Sequence, residues 1–186
     1  MSSDDTLPYP PDEPGDIEYL LGSFGSLATV LGEAGAATRS HASDLDAVWH
    51  GGASSAARAE LGAIATLGDD ASVAMTDVSA QVSTYFTELE AARNEIDLLR
   101  QEYDAELVGH RHRLARVSDL TTDAAEATAV RHDEHEAHQA ALGDLRRRHE
   151  EIISALGDVA ARARGELIGI AGRVSADPVG GGAGRH

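Results

Sequence analysis

Residues 71–103, ASVAMTDVSAQVSTYFTELEAARNEIDLLRQEY, place apolar side chains at Ala71, Met75, Val78, Val82, Tyr85, Leu89, Ala92, Ile96, Leu99 and Tyr103. The steps alternate four and three without a break, which is the seam of a helix that packs against another helix along its whole length. Leu61, Ile64 and Leu67 extend the stripe backward after a slip of register, and Leu107, Leu114 and Val117 extend it forward after another. No proline interrupts the run, so one helix of about 65 residues is expected, close to 100 Å long at roughly 1.5 Å per residue.

The same count works upstream. Ile17, Leu20, Phe24, Leu27, Leu31, Ala34, Thr38, His41, Leu45 and Val48 step by three and four, and eight of these ten positions are apolar. Asp16, after Pro14-Gly15, is the expected N-cap. Downstream, Leu142, Leu145, Ile152, Leu156, Val159 and Ala163 keep a seam in which His149 holds one position. The turn between the second and third helices is expected over Ser118–Asp123. Residues 131–139 are nearly all polar and are expected to face solvent on every side or to form a hinge. No alternating strand pattern occurs. The fold class expected is all-α, an elongated antiparallel helical hairpin or bundle with long coiled-coil-like helices.

The 186 residues carry 15 Arg, no Lys and 32 Asp plus Glu, for a net charge of −17. Such a surface repels phosphate, which argues against nucleic acid and against anionic lipid. Zero Cys removes disulfides, thiolate nucleophiles and Cys-based zinc sites. Two Phe, four Tyr and one Trp are too few for a broad globular core, whereas abundant Ala and Gly suit thin helix–helix seams. No stretch of about 18 uncharged apolar residues is present, so no membrane insertion is expected. Residues 1–14, with Pro8, Pro10, Pro11 and Pro14, read as a disordered proline-rich leader. They lack the positive start and apolar core of a secretory signal. Residues 176–186, with Gly180-Gly181-Gly182, read as a flexible tail.

The first two helices are joined by Ala47-Val48-Trp49-His50-Gly51-Gly52, which holds the only Trp of the chain. An indole there can cap the hairpin core and hydrogen-bond a carbonyl at the end of the first helix, while Gly51 gives backbone freedom for the reversal. Gly15-Asp16 opening the first helix, Trp49-His50-Gly51 in the turn, and a long second helix containing Tyr85 resemble the WXG-type helical-hairpin substrates of type VII (ESX-like) secretion, in their larger actinobacterial version. The resemblance covers about residues 15–107.

It implies a helical hairpin, here over 15–117, to which the downstream seam adds 118–175 as a third helical region packing back on it. It also implies a non-enzymatic substrate or N-terminal targeting module of a secreted effector. Such a module pairs with another helical-hairpin protein as homodimer or heterodimer, engages the secretion ATPase, and is cytoplasmic before export and secreted afterwards. Trp49 and Gly51 form the turn motif, and Leu27, Leu31, Val78, Val82 and Tyr85 are the candidate partner face.

The family's export signal is a Tyr followed four residues later by Asp or Glu, just after the hairpin. Tyr85 is followed at that spacing by Leu89 and Tyr103 by Leu107; Tyr9 and Glu13 match, but in the leader. The expectation is therefore that a partner supplies the signal, or that the targeting role is lost. The alternative reading is an intracellular coiled-coil scaffold or adaptor without an export role.

Chemistry-bearing residues offer little else. His132, His135 and His138 recur every three residues, but six residues turn a helix by about 600°, so His132 and His138 lie roughly 120° apart. A solvated polar face is the better reading than a metal site. Arg146-Arg147-Arg148 has Glu150 and Glu151 beside it and reads as solvated too. No nucleophile elbow, phosphate loop or dinucleotide fingerprint occurs. No catalytic, cofactor or metal residue is assigned.

Overall fold

A computed structural model describes residues 7–120 and 123–176 and shows three helices in succession: α1 (Pro14–Val48), α2 (Gly52–Leu120) and α3 (Ala124–Ala176). No strand occurs among the described residues. The chain divides into two compact units. One contains residues 7–12 with the later part of α2 and the earlier part of α3, through residue 159; the other contains α1, the start of α2 and the end of α3. The expected tail falls almost wholly on residues 177–186, outside the described residues.

In the unit holding α1, the helix is capped three residues before the expected cap. Glu13 is the N-cap, in extended conformation, and Pro14 occupies the first turn. Proline's fixed φ is already helical and its missing N–H is one the helix cannot pair anyway, so it starts the helix. Asp16 is left in the first turn, where its charge meets the positive helix end.

The inward stripe of α1 also differs from the counted one. Ile17, Ala28 and Gly35 are buried, whereas Leu20 and Leu27 are exposed. Half-buried Leu21, Phe24, Leu31, Thr38, Ala42 and Leu45 complete a stripe that again steps by three and four. Backbone approach selects this face. A Cβ on Gly68 of α2 would lie 3.1 Å from the Gly35 Cα and 3.2 Å from the Leu31 carbonyl oxygen. The Ser72 hydroxyl donates across the same contact to the Ala28 carbonyl at 2.7 Å, and Arg39 pairs with Asp69. At the other end of this unit, Arg173 of α3 lies 3.6 Å from Asp77.

The ten seam positions counted on α2 from Ala71 to Tyr103 face inward, with Ala71, Met75, Val78, Val82 and Tyr85 half-buried and Leu89, Ala92, Ile96, Leu99 and Tyr103 buried. In the backward extension, however, Ile64 and Leu67 are exposed and the small Ala65 is buried instead. In the unit holding residues 87–159, Leu99 and Tyr103 meet Leu142 and Leu145 of α3, with Leu107 and Ile152 at the margin. The fifth member of that cluster is Leu7, which is wholly buried.

The leader is thus not disordered where it is described: residues 7–12 lie along α2 and α3. Arg100 donates to the Leu7 carbonyl at 2.9 Å, and Arg93 to the Asp12 carbonyl at 3.1 Å. Prolines favour the extended backbone that leaves these carbonyls free to accept. Residues 1–6 lie outside the described residues.

α2 continues to Leu120, past the expected start of the turn. α3 opens on Asp123, whose carboxylate accepts from the Ala125 N–H at 2.8 Å.

Candidate functional site

The reversal between α1 and α2 is made by main chain. Trp49 is the extended C-cap residue of α1, and its N–H donates to the Leu45 carbonyl at 2.9 Å. The Trp49 carbonyl accepts from the wholly buried Ser54 hydroxyl at 2.6 Å. Gly51 stands at φ +111°, a conformation closed to most side chains, and its carbonyl receives the Ser55 N–H at 3.1 Å. Trp49 is 43% exposed, so it is not a fully buried plug. Arg58 pairs with Asp46 across the turn. The sequence reading missed Ser54, although Trp-X-Gly followed by Ser is a signal a turn-hydroxyl argument could use.

α1 carries the apolar surface that the structure leaves open. Only three of its 35 residues are buried. Tyr19 (77% exposed), Val30 (59%), Leu20 and Leu27 point outward, and Ile64, Leu67 and Val73 of α2 are exposed as well. Of the five candidate partner residues, Leu27 is exposed, while Leu31, Val78, Val82 and Tyr85 are half-buried. Tyr19 and Val30 lay off the counted seam and were therefore missed.

By length and composition α1 could also cross a membrane, with mean hydropathy 1.2 in a window of which 6% is buried. The expectation that no segment is apolar enough required an uncharged run. One charge, Glu33, stands between Tyr19 and Thr38 and breaks that run without lowering the mean below the level needed.

The polar stretch at 131–139 is neither hinge nor wholly solvated. It is continuous helix, and His138 is 6% exposed. Its ring stacks on His110 of α2 with centroids 3.9 Å apart and planes 1° from parallel, and the His135 ring lies 6.2 Å from that of His110. A neutral imidazole has apolar faces, and the polar edge of His138 is satisfied by Glu106, 2.8 Å from its Nδ1. Arg113 bridges Glu106 and Glu134, at 2.7 Å to each.

The His138 hydrogen bond holds the Glu106 carboxyl below its ordinary value. Burial pushes His110 below the ordinary imidazole value, and the neighbouring His138, Arg113 and His135 act in the same direction. The His110 Nδ1 is buried without a hydrogen-bond partner. His132 points away and meets Glu136 at 3.3 Å in solvent, as the helical rotation requires. Among the described residues no three His, Asp or Glu side chains are arranged to hold a metal ion.

No curated protein and no solved structure matches the chain. A family model, described as WXG100 like domain, matches residues 2–109, from the leader through α1, the Trp49–Gly51 turn and most of α2. It stops one residue before His110, so both stacked histidines lie beyond it. Members of this family are typically non-enzymatic helical proteins that form hairpin dimers. The match spans more than half the sequence, and the chain therefore belongs to the WXG100-like domain family of type VII secretion-related helical proteins.

Proposed function

We propose that the chain is a non-enzymatic type VII secretion substrate or targeting module, cytoplasmic before export, that leaves the cell with a helical partner laid on α1. The observation that carries this reading is the outer face of α1, where Tyr19, Leu20, Leu27 and Val30 are exposed together on one apolar helix. Contiguous exposed apolar surface marks an interaction site. Leu27 belongs at the centre of this surface, with Leu31, Val78, Val82 and Tyr85 at its half-buried margin, and Trp49-His50-Gly51 at its turn. The hydropathy of α1 serves the same end, since a helical partner would bury the residues that raise it.

The export signal belongs to the partner. Tyr103, at 3% exposure, is buried, and neither Tyr85 nor Tyr103 has an acidic residue four positions later. The Tyr9 ring is packed against Arg93 and Arg100, with its hydroxyl bonded to Asp97.

The test compares culture supernatants of cells with an intact and an inactive secretion ATPase. The protein should appear outside only in the first, and only when the partner gene is present. Leu27→Glu should abolish partner capture and export while the free chain keeps its melting temperature. Equal retention in both strains, while other substrates are exported, would favour the intracellular scaffold instead.

A further inference from the structure

Residues 7–12 are held by the later part of α2 and by α3 in the manner of a bound peptide rather than as a covering loop. Leu7 is wholly buried among Leu99, Tyr103, Leu142 and Leu145. The Tyr9 ring receives two guanidinium groups, Arg100 at 3.8 Å and Arg93 at 4.5 Å from its centroid. Its hydroxyl donates to Asp97, and this hydrogen bond raises the phenol above its ordinary value, so the neutral form is the one bound.

Side chains read the backbone between and beyond these anchors. Arg100 Nε donates to the Leu7 carbonyl at 2.9 Å, His149 Nε2 to the Pro8 carbonyl at 2.8 Å, and Arg93 to the Asp12 carbonyl at 3.1 Å. The carbonyl acceptors fix the His149 proton on Nε2. Leu7 and Pro10, three residues apart, are both buried while Pro8 between them is exposed, which is the three-residue period of a polyproline II segment laid on a surface.

Two anchor side chains, three main-chain acceptors and prolines that pre-set the extended backbone are the elements of peptide recognition. Helices do not need them to pack: elsewhere in this contact α2 and α3 meet through apolar side chains and the Arg148–Glu102 ion pair. Nor do they suit the chain's general charge. Arg93, Arg100 and His149 converge here on a chain of net charge −17, and the segment they hold is flanked by Asp4, Asp5, Asp12 and Glu13.

We propose that this face of α2 and α3 is a recognition site for an extended segment of the type aliphatic–Pro–Tyr–Pro followed by acidic residues. Residues 7–12 are its resident ligand, and a partner protein carrying the same kind of segment takes their place when they leave. Tethering gives the resident segment an effective concentration of the order of millimolar, so it holds the site until it is weakened or outcompeted. The inference is independent of the function proposed for α1.

The test uses the full chain with Leu7→Ala and Tyr9→Ala together, which removes both anchors of the resident segment and leaves Arg93, Asp97, Arg100 and His149 in place. The probe is a fluorescein-labelled synthetic peptide with the sequence of residues 4–13. Fluorescence anisotropy should show saturable binding to the variant, and binding to the wild-type chain at least tenfold weaker. Replacing the peptide's tyrosine by alanine, or adding Arg100→Ala to the protein, should weaken binding by about tenfold or more.

Should the double variant lose its helical circular dichroism, Tyr9→Ala alone, which keeps Leu7 in its cluster, replaces it. A folded variant that does not bind the peptide at millimolar concentration overturns the proposal. So does binding that ignores the peptide's tyrosine and Arg100.

Discussion

Alanine at Gly68 and alanine at Gly22 should shift stability in opposite directions, although both replace a helical glycine. Helix propensity alone favours alanine by about 1 kcal/mol at either position. At Gly22 and at Gly25 an added Cβ meets nothing within 4 Å, so the gain is kept. At Gly68 the Cβ would lie 3.1 Å from the Gly35 Cα, 3.2 Å from its nitrogen and 3.2 Å from the Leu31 carbonyl oxygen. All three are backbone atoms and cannot rotate away. Relief requires α1 to move off α2, and overpacking of this kind costs about 1–3 kcal/mol.

The same movement stretches the 2.7 Å hydrogen bond from Ser72 to the Ala28 carbonyl, which contributes about 1 kcal/mol more. Set against the propensity gain, Gly68→Ala should destabilise by about 1–3 kcal/mol, whereas Gly22→Ala should stabilise by about 0.5–1 kcal/mol. For a chain of this size 1 kcal/mol moves the melting temperature by about 2–4 °C. Thermal melts followed by circular dichroism should therefore place the two variants on opposite sides of the wild type. A Gly68→Ala chain that melts as high as Gly22→Ala would refute the close contact of α1 with α2.

The turn gives a graded series. Gly51→Ala, forced to φ +111°, should cost about 1–2 kcal/mol in chemical denaturation. Ser54→Ala, which leaves the Trp49 carbonyl without its buried donor, should cost about 1 kcal/mol. Trp49→Ala should stay well below the roughly 3–5 kcal/mol of a buried aromatic, because the indole is 43% exposed.

The histidine stack predicts acid lability. His110 is held below its ordinary value of 6.5, so below that pH the unfolded chain takes a proton that the folded chain resists, and stability falls as pH drops. Above pH 6.5 this contribution is fully present. Glu106, held below its ordinary 4.5, adds a second loss in the same direction at lower pH. Melting temperature measured between pH 7.5 and 5.5 should fall for the wild type and fall less for His110→Leu; parallel curves would show that the stack does not titrate.

Periodicity reported α2 well because nothing competes with it there: Leu89, Ala92, Ile96, Leu99 and Tyr103 are large or neatly spaced, and all five are buried. On α1 the same count chose Leu27 over Ala28 and Ala34 over Gly35, since hydrophobicity ranks leucine above alanine and alanine above glycine. The helices instead meet where side chains are smallest, and closeness of backbones, which a hydropathy pattern does not encode, decided the face. The leader was misread for a related reason. Proline content describes the extended conformation correctly, but it is silent on whether three side chains elsewhere accept that conformation as a ligand. His138 looked solvated by composition, yet its partner, His110, lies 28 positions away on another helix. Stacking and the Glu106 hydrogen bond make a polar position inward-facing, and neither is a local property.

The two faces of α1 make unequal demands, and their difference bears on the partner proposed for this helix. The inner face brings backbones together through Ala28 and Gly35 and so buries little apolar area per residue, while glycines at 22, 25, 32 and 35 weaken the helix. Four of its larger side chains, Tyr19, Leu20, Leu27 and Val30, remain in water. A helix arranged this way contributes little hydrophobic stabilisation to the free chain and considerably more to a complex that covers its outer face. Binding that selects the folded form adds stability in proportion to the logarithm of partner concentration over its dissociation constant, about 2.7 kcal/mol at a hundredfold excess. The exposed apolar face and the weak inner seam thus act together: under the proposed pairing, stability is deferred from folding to assembly.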